Sequence, residues 1–134
     1  MRLDFPGELP DMKGSINGQR GIKLQERMRH IQQARERWYW LIREQIPPQD
    51  ALRAPLRLVL EVRWPDNRTR DPDGVLQACK PLIDGLVAIG LLTDDSHKYV
   101  RELVVRSVPK GEPVGTAVTL EERCPIMPTC PTNR

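Results

Sequence analysis

Apolar residues along this chain fall into blocks with two different periods. Residues 22–46 contain no Pro or Gly, and Leu24, Met28, Ile31, Trp38, Leu41 and Ile42 recur at helical spacing. A long helix is predicted there, ended by Pro47-Pro48. Leu56, Leu58, Leu60, Val62 and Trp64 then alternate with Arg57, Val59, Glu61 and Arg63. That is a strand with one buried face and one more polar face. In residues 74–89 the stripe Val75, Leu76, Cys79, Leu82, Ile83, Leu86 and Val87 marks a second helix, with Gly90 as its stop. Pro81 lies inside it and is expected to kink it, because its ring displaces the carbonyl of Gln77. A short strand is predicted near residues 3–5. Two more are predicted over residues 99–108 and 115–122, joined through a turn rich in Pro and Gly. The order (β)αβαββ describes an α+β domain, two helices packed on a small mixed sheet. The expected domain spans residues 1–123, followed by a loose tail over 124–134 that carries Pro and Cys.

Composition narrows the class. At 134 residues, 39% hydrophobic and 29% charged, the chain suits one compact domain. No stretch approaches the ~20 apolar residues of a membrane helix. Residues 1–10 include Asp4 and Glu8 and lack the apolar core of a signal peptide, so a cytoplasmic protein is expected. Cys79, Cys124 and Cys130 make no even-numbered disulfide framework and no Cys-x-x-Cys pair, and are expected to be free thiols. With His30 and His97 as the only histidines, a zinc site is not expected.

Charge is unevenly spread. Residues 1–70 carry 14 Lys/Arg against 9 Asp/Glu, and residues 71–134 carry 7 against 9. A basic first half beside an acidic second half fits a polyanion held next to a metal, and equally fits two faces of an ordinary domain.

The chemistry concentrates in Asp71-Pro72-Asp73 and Thr93-Asp94-Asp95-Ser96. A residue before proline is pushed towards an extended conformation. In an extended segment residues two apart point the same way, so both carboxylates of the first motif can converge on one ion. Hard oxygen ligands with room for water and phosphate suit Mg²⁺. Alternatively, Asp73 simply caps a helix beginning at Gly74. If the second helix is continuous, Asp73, Gln77, Lys80 and Asp84 fall within about 60° of one another. Lys80 would then reach back to a phosphate at Asp73, or else pair with Asp84 one turn on. Asp84 lies roughly 16 Å from Asp73, too far to share an ion. Asp94 and Asp95 are either turn formers or ligands facing Asp71 and Asp73 across the fold, with one of the two turned to the site.

Taken together, these residues resemble the RusA family of Holliday junction resolvases. The resemblance runs from about residue 56 to 122 and is densest over residues 70–96. Its elements are Asp71-x-Asp73 opening a helix, Lys80 four residues before Asp84, and Asp94-Asp95 ten residues after Asp84. Gly74 stands where the family has Asn, and the step from Asp73 to Lys80 is about one helical turn longer than in the founding member. Counted from the aspartates instead, Gln77 takes the lysine position. The resemblance implies Asp71, Asp73 and Asp95 as metal-binding catalytic carboxylates, with Asp94 as a further candidate, and Lys80 as the catalytic lysine. It implies Mg²⁺, replaceable by Mn²⁺, and no small-molecule cofactor. It further implies a homodimer, because a four-way DNA junction presents two equivalent strands. Arg20, Lys23, Arg27 and Arg35 of the basic helix, with Arg63, Arg68 and Arg70, would contact DNA phosphates. Trp38, Tyr39 and Trp40 are expected in the core, and His30 and His97 away from the ligand set. The competing expectations are a non-catalytic DNA-binding module and a related nuclease acting on forks or flaps.

Overall fold

A computed structural model of the chain describes residues 1–12, 23–47, 49–53 and 55–122. The tail over 124–134 and Arg20 therefore lie outside the described residues. In chain order the elements are β1 (Arg2–Pro6), α1 (Leu24–Gln45), β2 (Leu56–Arg63), α2 (Pro72–Ala78), α3 (Lys80–Ala88), β3 (Val100–Val108) and β4 (Gly115–Glu122). The protein is α+β, with one mixed four-stranded sheet ordered β1-β4-β2-β3. β4 pairs antiparallel with both β1 and β2, whereas β2 and β3 are parallel and joined by the α2–α3 crossover.

The alternation in β2 works as its sequence suggests. Leu56, Leu58, Leu60 and Val62 are buried on the side that joins the main core, with Trp38 and Ile42 of α1 and Leu82 and Leu86 of α3. Arg57, Glu61 and Arg63 face the other way and form ion pairs, those of Arg57 across the sheet and that of Arg63 with Glu61 along β2. Arg57 bonds Glu102 at 3.2 Å and Glu121 at 2.7 Å, and Arg63 pairs with Glu61. The β2–β3 register brings Arg57 opposite Glu102 and Glu61 opposite Arg106, so opposite charges meet across neighbouring strands.

Two expectations change. Proline 81 does not kink one helix; the chain breaks at Cys79, and Pro81 sits in the first turn of a new helix, α3. There its missing N–H costs no helical hydrogen bond. Cys79 itself stays near helical conformation, and Gln77, Lys80 and Asp84 still line one cleft. The aromatic run divides as well. Trp38 is fully buried and meets Phe5 edge-on at 5.2 Å between ring centroids, while Trp40 is 60% exposed.

Gly90 does end the helix as expected. At φ 92° it turns the chain so that its own N–H donates to Val87 O and the N–H of Leu91 donates to Leu86 O. Both bonds satisfy carbonyls left open at the end of α3. Leu91 and Leu92 then plunge into the core, and the N–H of Leu52 donates to Leu91 O at 3.0 Å. This anchor delivers Thr93-Asp94-Asp95 to the surface beside the start of α3.

Cys79 is a buried free thiol, and burial alone pushes its pKa up to about 12, since the thiolate would lose its hydration there. Among the described residues no helix is long and apolar enough to cross a membrane.

Candidate functional site

α1 and α3 pack closely at Gly85, which is buried between Ile42 and the Tyr39 backbone. Their N-terminal halves, with α2 and the β2–β3 edge of the sheet, enclose a cleft of about 690 Å³. Its floor is apolar, including Ile31, Leu58, Leu76 and Leu103. Its charged residues are Arg27 and Arg35 from α1, Lys80 and Asp84 from α3, Asp11, and Asp95.

At this cleft, two residues that the sequence placed in one site do meet. The Lys80 ammonium donates directly to a carboxylate oxygen of Asp95. Asp84 stands one turn from Lys80 at 3.8 Å and accepts from Arg35 at 3.1 Å. A chain of alternating charge thus runs Arg35–Asp84–Lys80–Asp95. Lys80 is half exposed, and solvated ion pairs of this kind contribute only about 0–1 kcal/mol each. Their consequence is orientation: the ammonium of Lys80 is held between Asp84 and Asp95 at the cleft. Gln77 also lines the cleft, so both candidates for the lysine position share one wall, and Lys80 is the one that reaches Asp95.

The remaining carboxylates are arranged otherwise than the sequence suggests. The helix opens at Pro72, not Gly74, with Asp71 at the N-cap in extended conformation, φ −73° and ψ 135°. The Asp71 side chain makes no capping bond, and its carbonyl accepts the N–H of Val75 at 3.0 Å. Asp73 is exposed in the first helical turn and is not the cap. Because Asp73 is helical, the rule that residues two apart share a face of an extended chain does not govern this pair. Asp94 accepts the N–H of Asp95 at 2.8 Å, the local turn bond that adjacent aspartates favour.

Residues 64–71 leave β2 at the end where Arg63 lies opposite Val108, whereas residues 93–99 enter β3 where Leu56 lies opposite Val100. Asp71 and Asp95 thus flank the α2–α3 crossover, Asp71 just before α2 and Asp95 between α3 and β3. Among the described residues, no group of three or more His, Cys, Asp or Glu side chains is gathered to hold a metal ion. The donors still suit a hard cation in kind. Asp71 and Asp73 present carboxylates to solvent within one helical turn, and Mg²⁺ commonly takes one or two carboxylates and completes its shell with water and substrate phosphate.

The basic residues divide into three groups. Lys23 is exposed just before α1, Arg27 lines the cleft with its Nε buried and without a hydrogen-bond partner among the described residues, and Arg35 is exposed beside it. Arg68 is exposed in the loop after β2. Arg63 and Arg70 are turned to protein neighbours. Arg63 donates to Pro113 O at 2.7 Å on the helix-free face of the sheet. Arg70 lies over the Trp64 ring at 3.9 Å and bonds Asp66 at 2.7 Å. That Arg70 bond, seconded by the backbone N–H of Arg68, holds the Asp66 carboxyl below the usual carboxylate range. No feature of the sequence pattern announces the Trp64–Arg70 stack, which requires the loop to fold back on itself. His30 pairs with Asp11 at 2.8 Å, and His97 is exposed.

No protein-family model matches the chain, and no curated protein matches it significantly.

Proposed function

We propose that the protein is a Mg²⁺-dependent endodeoxyribonuclease that resolves four-way DNA junctions by paired nicks. The observation that carries this reading is the meeting of Lys80 and Asp95 at a cleft that Arg27 and Arg35 of α1 also line. The linked spacing of Asp71, Asp73, Lys80 and Asp95, which resembles the RusA family, supports it.

In this reading Asp71 and Asp73 hold the ion, and Asp95 is the third carboxylate of the set. When bound, Mg²⁺ supplies Lewis acidity and a nucleophilic water. Lys80 neutralises charge that builds on the phosphoryl oxygens as the bond to the leaving strand breaks. Its exchange between Asp95 and a phosphate keeps the ammonium paired before and during the reaction. Lys23, Arg27 and Arg35 track the backbone of a DNA arm. Such contacts position the duplex without reading bases. Two sites related by a two-fold axis would cut the two equivalent strands, so the active species is a homodimer.

Six such cations per dimer set an expected salt dependence. Junction affinity falls roughly 10³-fold between about 50 and 200 mM salt. Fluorescence anisotropy on a labelled junction across that range measures the slope, and a flat response would remove α1 from the interface.

A second reading takes the same Lys80–Asp95 contact as purely structural, like the Arg35–Asp84 pair beside it. It makes the protein a non-catalytic DNA-binding module whose acidic residues only orient basic ones. Incubation with four-way junction, fork and linear duplex in Mg²⁺ separates the readings. Symmetric nicks in the junction support the resolvase, cleavage confined to forks moves the substrate class, and intact DNA throughout leaves the binding module.

A further inference from the structure

Arg70 directly precedes Asp71, and its guanidinium is held by an aromatic ring and a carboxylate together. Trp64 is 4% exposed and fixed at the end of β2: its N–H donates to Val108 O, and its indole N–H donates to Ser107 Oγ, both at 2.9 Å. Asp66 is tied to the same turn, since its carbonyl accepts the N–H of Lys110 at 2.9 Å. The N–H of Gly111 donates to Trp64 O at 2.9 Å, so the β3–β4 turn grips this loop at two points.

Onto this fixed pair the Arg70 guanidinium closes from one side. It stacks on the Trp64 ring at 3.9 Å, and its Nη1 and Nη2 donate to the two Asp66 oxygens at 2.7 and 3.4 Å. The side chain retains only 12% of its exposure. A planar fork that both stacks on an aromatic ring and spans a carboxylate is a task for arginine that lysine does not perform. The positive charge of Arg70 is matched by Asp66, so little of it is left to attract a phosphate.

We propose that Arg70 is a positioning residue for the site, clamped between Trp64 and Asp66 so as to fix the extended backbone from which Asp71 presents its carboxylate. The inference rests on the reading of Asp71 as a metal ligand. It replaces the phosphate contact that the sequence suggested for Arg70. The clamp ends at the residue before Asp71, and the next fixed point is the Asp71 carbonyl, which the N–H of Val75 holds. Asp71 is therefore pinned on both sides while its carboxylate is left out of helix capping.

The two roles predict opposite results for paired variants. Arg70→Gln removes the clamp and one cation, whereas Asp66→Asn loosens the clamp and frees a cation. Mn²⁺ binding by the full-length protein without DNA, read by electron paramagnetic resonance, reports on Asp71 directly. Junction binding without divalent metal, read against salt, reports on phosphate contact. A positioning role predicts that both variants weaken Mn²⁺ about 10-fold, the low end for residues that orient ligands. It also predicts that the salt slope of both stays at the wild-type value. Arg70→Lys, which keeps the charge, is expected to lose Mn²⁺ affinity as Arg70→Gln does, and it stands in if the glutamine variant fails to fold. Unchanged Mn²⁺ affinity overturns the inference, whether or not the salt slope of Arg70→Gln drops by about one, the signature of a lost phosphate contact. A wild-type protein that binds no Mn²⁺ overturns the metal reading and this inference with it. Wild-type binding matched by all three variants overturns this inference alone.

Discussion

Lys80→Gln is expected to lower kcat for junction cleavage by about 10²–10³-fold while leaving junction affinity within a few-fold of wild type. The size is that of removing one preorganised donor from a developing oxyanion. An interaction made only in the transition state lowers kcat and kcat/KM together, so KM should hold steady. The ammonium is placed for this by Asp95, which it contacts, and by Asp84 at 3.8 Å, itself held by Arg35. Gln77→Ala on the same wall is the control and should keep kcat near wild type. The opposite outcome, loss in Gln77→Ala with Lys80→Gln active, would assign the position to Gln77. Single-turnover cleavage of a labelled junction under saturating protein distinguishes these cases.

Gly85→Leu is expected to be the most disruptive single change for the fold. Even a methyl group at Gly85 would lie 2.8 Å from Ile42 Cδ1 and 3.5 Å from the Tyr39 backbone nitrogen. Ile42 is fully buried, so it has little room to withdraw. A branched side chain must push α1 away from α3, with an overpacking cost of about 3 kcal/mol. Against a typical stability of about 5–15 kcal/mol this is large, and a Tm lower by roughly 10 °C is expected. Gly85→Ala should cost about 1 kcal/mol, because only the far end of Ile42 must move. Denaturant titration of the two variants measures both steps. A leucine variant as stable as wild type would show that the two helices do not meet here. The same displacement carries Arg27 and Arg35 away from Lys80, so junction affinity should fall with stability.

Much of this architecture was legible in the sequence because it is written locally. Strand β2 shows its buried face through strict alternation, and β4 occupies the span its pattern indicates. Gly90 marks the end of α3 by a conformation that other residues rarely adopt. Proline 81 was informative but ambiguous: the same ring that kinks a helix from inside can open a new one, and the choice depends on packing around Cys79. Trp40 shows the same limit, since helical spacing places an aromatic on a face without saying whether anything covers that face.

The candidate site was legible in its parts and not in its assembly. The contact of Lys80 with Asp95 follows from the buried Leu91-Leu92 anchor and the return of the chain, which the order of motifs hinted at. The parallel pairing of β2 with β3, which makes α2 and α3 the crossover between the two acidic motifs, is a non-local fact that no window of sequence contains. Arg63 and Arg70 were expected as DNA contacts because charge is visible in sequence and pairing is not. Their partners, Glu61 with Pro113 and Trp64 with Asp66, become neighbours only when the strands and loops close.

The central claim is that the acidic residues at the start of α2 serve Mg²⁺-dependent cleavage of branched DNA. Wild-type protein and Asp73→Asn, compared on one labelled four-way junction with and without Mg²⁺, test it most directly. The account predicts paired nicks by the wild type only with Mg²⁺, none by Asp73→Asn, and junction affinity in the variant equal to or tighter than wild type, since a negative charge is removed. An intact junction with wild-type protein, or equal cleavage by both proteins, would contradict it.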